Sequence, residues 1–467
     1  MNNSLELSIL HFDMKALIPK ANFFINLLPS ISSMGYNAIL VEFEDKFPYK
    51  SIPEIVHPDS WTIEEFTQFK LAAKENNIQI IPLLQCAGHL DYVLKHKKFK
   101  HLREGDVPKD STNEWCLKDN TEPLAIFKSM AQELLDFFPE SKYFHIGADE
   151  YNFSHQCSKC ANSDKFLLYL NHVEECRKFI ASHDKEVVLW DDVFRKRNHP
   201  KLDELLSKVI PCIWQYTTVD EKIIQKMCQI SPVVWSASKI QNEPFYRGLG
   251  AQDKVMDNVD LWAKMHEKYP IKGHVATIWG RNHGLSPLAQ TLVESFYMIG
   301  YQGYTNTYGF ISNKEDFKKY FAQKYFNVND IPFVDYFHYN PQKVTTLLEE
   351  TLKIASPNQG ILKVWQNFNL IDELWTYCDM CFGSNMALYK DYINMVAPDD
   401  MTYNFLDGVK ITKEKAKDIR QKITTELKDI FMPVLLQEYL SSRLDGMLAI
   451  NNFWEDIITK AIAGKKL

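Results

Sequence analysis

The stretch Lys142–Asn152 reads KYFHIGADEYN. A short apolar run leads into Gly147, and two adjacent carboxylic acids, Asp149 and Glu150, follow at once. The run suits a buried strand, and glycine supplies the backbone freedom a turn needs at a strand end. The same theme repeats along the first two-thirds of the chain. Candidate strands are Leu5–Phe12, Ala38–Phe43, Ile78–Leu84, Tyr143–Gly147, Val187–Trp190, Val209–Trp214, Val233–Trp235 and His274–Trp279. Segments of helical spacing lie between them: Ala21–Met34, Thr62–Asn76, Pro123–Phe138, Asp164–Ser182, Val259–Lys268 and Pro287–Ile299. Apolar strands that alternate with amphipathic helices need a parallel sheet covered by helices. Eight such strands predict an α/β fold, a closed (β/α)8 TIM barrel over residues 1–310. An open doubly wound sheet is the alternative. It often carries a glycine-rich phosphate turn after its first strand, and HFDMKALIP at residues 11–19 has none.

The texture changes beyond Tyr308. Long amphipathic stretches (Val344–Ile354, Gly360–Met386, Thr412–Ile430 and Pro433–Ile457) replace the alternation, and strand-like runs nearly vanish. Residues 311–467 therefore read as a C-terminal all-α region packed on the barrel. Two roles are open to it: shaping the pocket rim and forming a homodimer.

Composition narrows the partners. With 53 Lys and Arg against 60 Asp and Glu, the 467-residue chain has a net charge of -7. That balance argues against nucleic acid and against an anionic membrane surface. No run approaches a membrane span, and the N-terminus lacks a basic segment followed by an apolar one. Nine scattered cysteines, an odd number, fit a reducing cytoplasm better than a disulfide framework.

Reactive groups of a barrel lie at the C-terminal ends of its strands. Those positions offer Asp13 and Lys15; Glu42, Glu44 and Asp45; Gln85 and His89; Asp149, Glu150 and Tyr151; Trp190, Asp191 and Asp192; Trp214 and Tyr216; Trp235; and Trp279, Arg281 and His283. Carboxylates crowd this face, and four tryptophans end four candidate strands. A box of indoles beside acids suits the apolar C–H faces and hydroxyl edges of a sugar, although any one of them also serves as core filler. Adjacent carboxylates disfavour each other's charge, so one of Asp149 and Glu150 is expected to ionise late, as a general acid must. The plainer reading is an acidic pair capping a helix.

HIGADE at residues 145–150 resembles the H-x-G-x-D-E signature of glycoside hydrolase family 20, the β-N-acetylhexosaminidases. LVEFEDKFPY (40–49), PLLQCAGHLDYVLKH (82–96), FKHLRE (99–104), VLWDDV (188–193) and VVWSASKI (233–240) are most similar to its hexosaminidase D branch. The resemblance implies exo-acting, retaining, cofactor-free hydrolysis of β-GalNAc or β-GlcNAc glycosides, with a glycan or amino-sugar glycoside as substrate. The substrate's own acetamido oxygen attacks the anomeric carbon and forms an oxazolinium ion, an exception among retaining glycosidases. By motif position Glu150 is the general acid and base, Asp149 orients the acetamido N–H, and Tyr216 donates to the acetamido oxygen. Trp190, Trp214, Trp235 and Trp279 wall the sugar, with His89, Asp191, Asp13 and Glu44 as further binding residues. Many members carry an arginine after the first strand for the sugar hydroxyls; here Asp13 and Lys15 stand in that region, as lysine does in the hexosaminidase D branch, and Glu42, Glu44 or Asp45 either grip hydroxyls instead or serve as structural loop acids. That branch favours galacto over gluco configuration, so the resemblance implies β-GalNAc hydrolysis at least as good as β-GlcNAc.

Two rival classes are a metal-dependent barrel hydrolase built on Asp13, His89, Asp149 and Asp191, and a non-catalytic carbohydrate-binding barrel. No H-x-H follows the first strand, which counts against the first, and the intact acid pair counts against the second. His155, Cys157 and Cys160 form an H-x-C-x-x-C half-site that Cys176 would extend; half-sites are frequent without metal, so no metal ligand is assigned.

Overall fold

The computed structural model describes residues 5–105, 113–154, 157–195, 197–241, 252–280, 292–331, 340–354, 356–383 and 400–463. Eight parallel strands close a barrel in chain order: β1 Leu7–Asp13, β2 Ala38–Glu42, β3 Gln79–Leu83, β4 Tyr143–His145, β5 Glu186–Trp190, β6 Ile210–Trp214, β7 Trp235–Lys239 and β8 Gly273–Thr277. Closure is direct, because β1 pairs with β2 (Ile9 opposite Ala38) and with β8 (Leu7 opposite Gly273).

Strand side chains alternate between two cores. Leu7, Ile9, Ala38, Leu40, Ile81, Leu83, Val188, Ile210, Cys212, Ala237 and Val275 pack together inside the barrel. Leu10, Phe12, Ile39, Val41 and Ile80 join the larger core under the helices. Helix Ala21–Ser33 buries Ala21, Phe24, Leu27, Leu28 and Ile31, the spacing of one helical face. Gly35 ends that helix region at φ +100°, and a Cβ there would stand 2.1 Å from Thr307 Oγ1. Helix Ile63–Glu75 starts with a reciprocal cap: Thr62 Oγ1 accepts from Glu65 N–H at 3.1 Å and Glu65 Oε2 accepts from Thr62 N–H at 2.8 Å.

The seventh strand departs from the expectation. The apolar run Val233–Trp235 marks its entry, and the strand itself runs on through Ser236–Lys239. Its polar residues are satisfied from outside the barrel. Ser236 Oγ lies 3.0 Å from His266 Nε2 and 2.7 Å from His274 Nδ1, and Ser238 Oγ donates to Gln302 Oε1 at 2.6 Å. The strand does alternate, with Trp235 and Ala237 inward and Ser236 and Ser238 outward, but one tryptophan and one alanine make a weaker apolar signal than the run Val233–Trp235 before it.

Among the described residues after the barrel are helices Lys314–Phe326, Pro341–Leu352, Gln359–Gly383, Asp400–Glu426 and Pro433–Ile462. They grip the loop that follows β1: Lys20 N–H donates to Ile430 O at 2.7 Å, and Met432 N–H donates to Ile18 O at 3.3 Å. Leu435 N–H donates to Asp59 Oδ2 at 2.8 Å, which ties the loop after β2 to the same helices. No helix among the described residues is long and apolar enough to cross a membrane.

Candidate active site

The loops after the strands carry much of the backbone strain. Glu44, His89, Ala148 and Glu150, all at the mouth, have φ of 44°, 52°, 71° and 49°. Left-handed backbone at non-glycine residues costs energy and clusters where geometry serves function. Gly147, at φ +65°, lies so close to Gln85 that a Cβ would sit 1.8 Å from its Oε1. That approach lets the chain turn from β4 directly into the acid pair.

His89 organises the pair. Its Nε2 lies 3.2 Å from Asp149 Oδ2 and 3.2 Å from Glu150 Oε2. Burial opposes a charge on His89, but Asp149 and hydrogen bonds to both acids outweigh it, and the imidazole is held well above its usual range. Asp149 moves the other way: burial raises it, His89 more than offsets this, and the carboxyl ends below its ordinary value. The expected mutual repulsion therefore does not raise Asp149, because a cation stands between the two acids. Asp149 Oδ1 is buried and has no hydrogen-bond partner. Glu150 is open to solvent, with a side chain 53% exposed.

Next to the pair, Asp192 Oδ2 accepts from Glu150 N–H at 3.0 Å, and its Oδ1 accepts from Trp214 Nε1–H at 3.2 Å. Burial, with the charge of Asp149 behind it, pushes Asp192 up to about 7. Its neighbour Asp191 serves the loop: Oδ1 accepts from Arg195 at 2.6 Å and from Trp214 N–H at 3.3 Å. Burial pushes Asp191 up to about 6 although Arg195 opposes it. Of these two acids, Asp192 is the one that touches Glu150.

Aromatic residues line the facing arc. Trp190 and Trp279 lie 5.8 Å apart, and Trp214 stacks on Tyr216 at 4.9 Å. Trp279 Nε1–H donates to the Tyr216 hydroxyl at 3.0 Å. Burial raises the Tyr216 phenol far above its usual range, with the charge of Asp149 adding to the effect, so it stays a neutral donor. Trp190 Nε1 is buried with no acceptor. Trp235 is a correction. As the first residue of β7 it sits at the opposite end of the barrel, 5.0 Å from Tyr143 and against Gly273, and fills the barrel floor.

The β1–β2 side carries a second charged group. Lys15 Nζ lies 2.5 Å from Glu42 Oε1, 3.3 Å from Asp13 Oδ1 and 3.5 Å from Glu44 Oε1, and 5.3 Å over the Trp279 ring. Asp13 Oδ2 also accepts from Gly280 N–H at 2.9 Å, which ties the β1 loop to the β8 loop. Glu42 accepts from Gln85 Nε2–H at 3.1 Å and meets His11 Nε2 at 3.2 Å. One ammonium cannot neutralise three buried acids. Burial disfavours charge on Glu42, yet Lys15 outweighs it and holds the carboxyl well below its range; burial and the neighbouring acids leave Glu44 well above.

His11, Glu42 and Gln85 belong to this site more directly than Asp191 or Trp235 does. Strand parity was the available signal: Leu7, Ile9, His11 and Asp13 share one face of β1, as Ala38, Leu40 and Glu42 do on β2. Arg281 and His283 lie outside the described residues.

The glycosyl hydrolase family 20 catalytic-domain profile matches residues 51–293. The chain belongs to that family. Within it, hexosaminidase D of Homo sapiens is 25% identical over 317 residues, covering 62% of this chain and 63% of the relative. Hexosaminidase D of Bos taurus is 28% identical over 223 residues, covering 44% and 62%. The chain thus spans less than two thirds of either relative's length. A crystal structure of a β-N-acetylhexosaminidase superposes with TM-score 0.52 at 14% identity over 70% of this chain and 78% of its own, a likeness of fold.

Proposed function

We propose that the protein is an exo-acting, retaining β-N-acetylhexosaminidase that uses the substrate's acetamide as nucleophile. The observation that carries this reading is the division of labour His89 imposes. It engages one oxygen of Asp149 and one of Glu150, and leaves Asp149 Oδ1 buried and unpartnered. A buried carboxylate oxygen without a donor is costly, and an amide N–H is the donor that would satisfy it. In this account Asp149 Oδ1 accepts from the acetamido N–H, and the Tyr216 hydroxyl donates to the acetamido oxygen. Trp190, Trp214 and Trp279 hold the methyl group and the sugar face. The acetamido oxygen then attacks C1 as Glu150 gives its proton to the leaving oxygen. Glu150 next takes a proton from the water that opens the oxazolinium ring. An oriented internal nucleophile is worth about 7–11 kcal/mol of barrier in favourable cases.

Lys15 with Asp13, Glu42 and Glu44 would take the sugar hydroxyls, with room for β-GalNAc as well as β-GlcNAc. The barrel, residues 1–310, carries the chemistry, and residues 311–467 brace the β1 loop that presents Lys15. The nine scattered cysteines support a cytoplasmic setting.

A panel of nitrophenyl β-glycosides tests the reading. Turnover of both N-acetylhexosaminides, with little of the deacetylated sugars, supports it. Equal turnover of glucosaminide and N-acetylglucosaminide would overturn it.

A further inference from the structure

The loops that carry the acid pair hold a second cluster that the proposed reaction does not use. Glu104 and Cys116 lie between β3 and helix Thr121–Phe137; Cys157 and Cys160 lie between β4 and helix Lys165–Ala181. One potential ligand atom from each of these four residues lies within 4.8 Å of all the others, and all four residues are buried. Cys116 Sγ is 3.2 Å from Cys157 Sγ, which is 3.5 Å from Cys160 Sγ. Glu104 Oε1 is 2.7 Å from Cys160 Sγ, and Oε2 is 4.0 Å from Cys157 Sγ. A tetrahedral zinc with bonds of about 2.3 Å to sulfur keeps its ligand atoms about 3.8 Å apart. The cluster brackets that spacing.

We propose that Glu104, Cys116, Cys157 and Cys160 form a structural zinc site that fastens the loop after β3 to the loop after β4. Three thiolates select a soft or borderline cation, and four protein ligands leave no open position for a reacting water. A turn already brings the two cysteines of the C-x-x-C pair together on Glu104: Cys160 N–H donates to Cys157 O at 3.2 Å, and Cys157 N–H donates to Glu104 Oε1 at 2.9 Å. On loading, three thiols give their protons to solvent and the ion takes their place. Three thiolates and one carboxylate around Zn²⁺ leave a double negative charge, and Lys165 Nζ, 3.3 Å from Glu104 Oε1, offsets one unit of it.

The position gives the site its consequence. Trp115 precedes Cys116, and its carbonyl accepts from the Tyr151 hydroxyl at 3.0 Å; Tyr151 directly follows Glu150. Trp115 Nε1–H reaches Cys86 O at 2.8 Å, three residues before His89. The staple therefore adjoins the contact that joins the loop of His89 to the loop of Glu150. The half-site seen in the sequence is completed by residues distant along the chain. Cys176 lies elsewhere, 3.6 Å from His172 Nε2, and His155 is outside the described residues.

Metal analysis of the full-length protein, purified without chelator from zinc-supplemented cells, should find about one zinc per chain. Cys116→Ser and Cys157→Ser should each hold at least about tenfold less, while Cys228→Ser, on helix Glu221–Ile230, should keep the full amount. Cobalt exchange into the unmutated protein removes any dependence on the folding of variants: thiolate-to-cobalt charge transfer and the visible bands of a tetrahedral site should appear. Neither readout involves glycosidase activity. Absence of zinc together with no cobalt bands in the reduced protein would overturn the assignment. So would full zinc retention in Cys157→Ser, or a Cys116–Cys157 disulfide in the native protein.

Discussion

On the β3–β4 side of the mouth one imidazole stands between two carboxylates; on the β1–β2 side one ammonium stands among three. The first group pairs a solvent-open acid, Glu150, with an imidazole that Asp149 and the hydrogen bonds to both acids hold well above its usual range. The second is more deeply buried, with Glu42 1% and Lys15 14% exposed, and Lys15 is held charged by the acids around it against the burial that opposes its charge. A site that moves protons needs a titrating partner with access to substrate. A site that only recognises hydroxyls works best as fixed dipoles and charges. On the proposed reaction, this contrast would put proton transfer on the first side and recognition on the second.

Substitutions on the two sides should separate accordingly. Glu150→Gln carries the largest expected effect, a loss of about 10²–10⁴ in kcat on substrates with poor leaving groups. An activated nitrophenyl leaving group should recover much of the first step, and a loss independent of leaving group would break the assignment. Asp149→Asn should cost about 10²–10³ in kcat with little change in KM, the signature of a contact that strengthens in the transition state. Lys15→Met acts on the other side. It leaves buried acids without their cation, so thermal or denaturant unfolding should show a loss of about 3–5 kcal/mol, and KM should rise more than kcat falls. A fall in kcat alone would erase the distinction between the sides.

His89→Gln sharpens the comparison through pH. Asp149 is held low by the imidazolium, so removing that cation lets its carboxyl rise. The acid limb of kcat/KM should therefore move to higher pH. A limb that stays in place would show that His89 does not set the charge of Asp149. The smallest expected effect belongs to Trp235→Phe. It should leave KM unchanged and cost about 1–3 kcal/mol of stability, whereas Trp279→Phe should raise KM with little loss of stability.

Much of this arrangement is legible in the sequence. Seven strand positions, the acid pair, His89, Tyr216 and three of four tryptophans follow from apolar runs and the residues that end them. Trp235 was misplaced because Ser236 and Ser238 hide a strand whose hydrogen bonds come from His266, His274 and Gln302. Glu42 was among the residues read at the end of the second strand, whereas His11, inside the first, needed strand parity as well as strand position. The Glu104–Cys116–Cys157–Cys160 cluster joins two loops, and no local pattern links Cys116 to a cysteine 41 residues away.

The central claim is that the substrate's amide oxygen is the nucleophile at C1. Nitrophenyl glycosides bearing N-acetyl, N-fluoroacetyl, N-difluoroacetyl and N-trifluoroacetyl groups test it most directly, because each fluorine weakens that oxygen without altering the leaving group. The account predicts a steady, steep fall of log kcat/KM along the series. A flat series would contradict it.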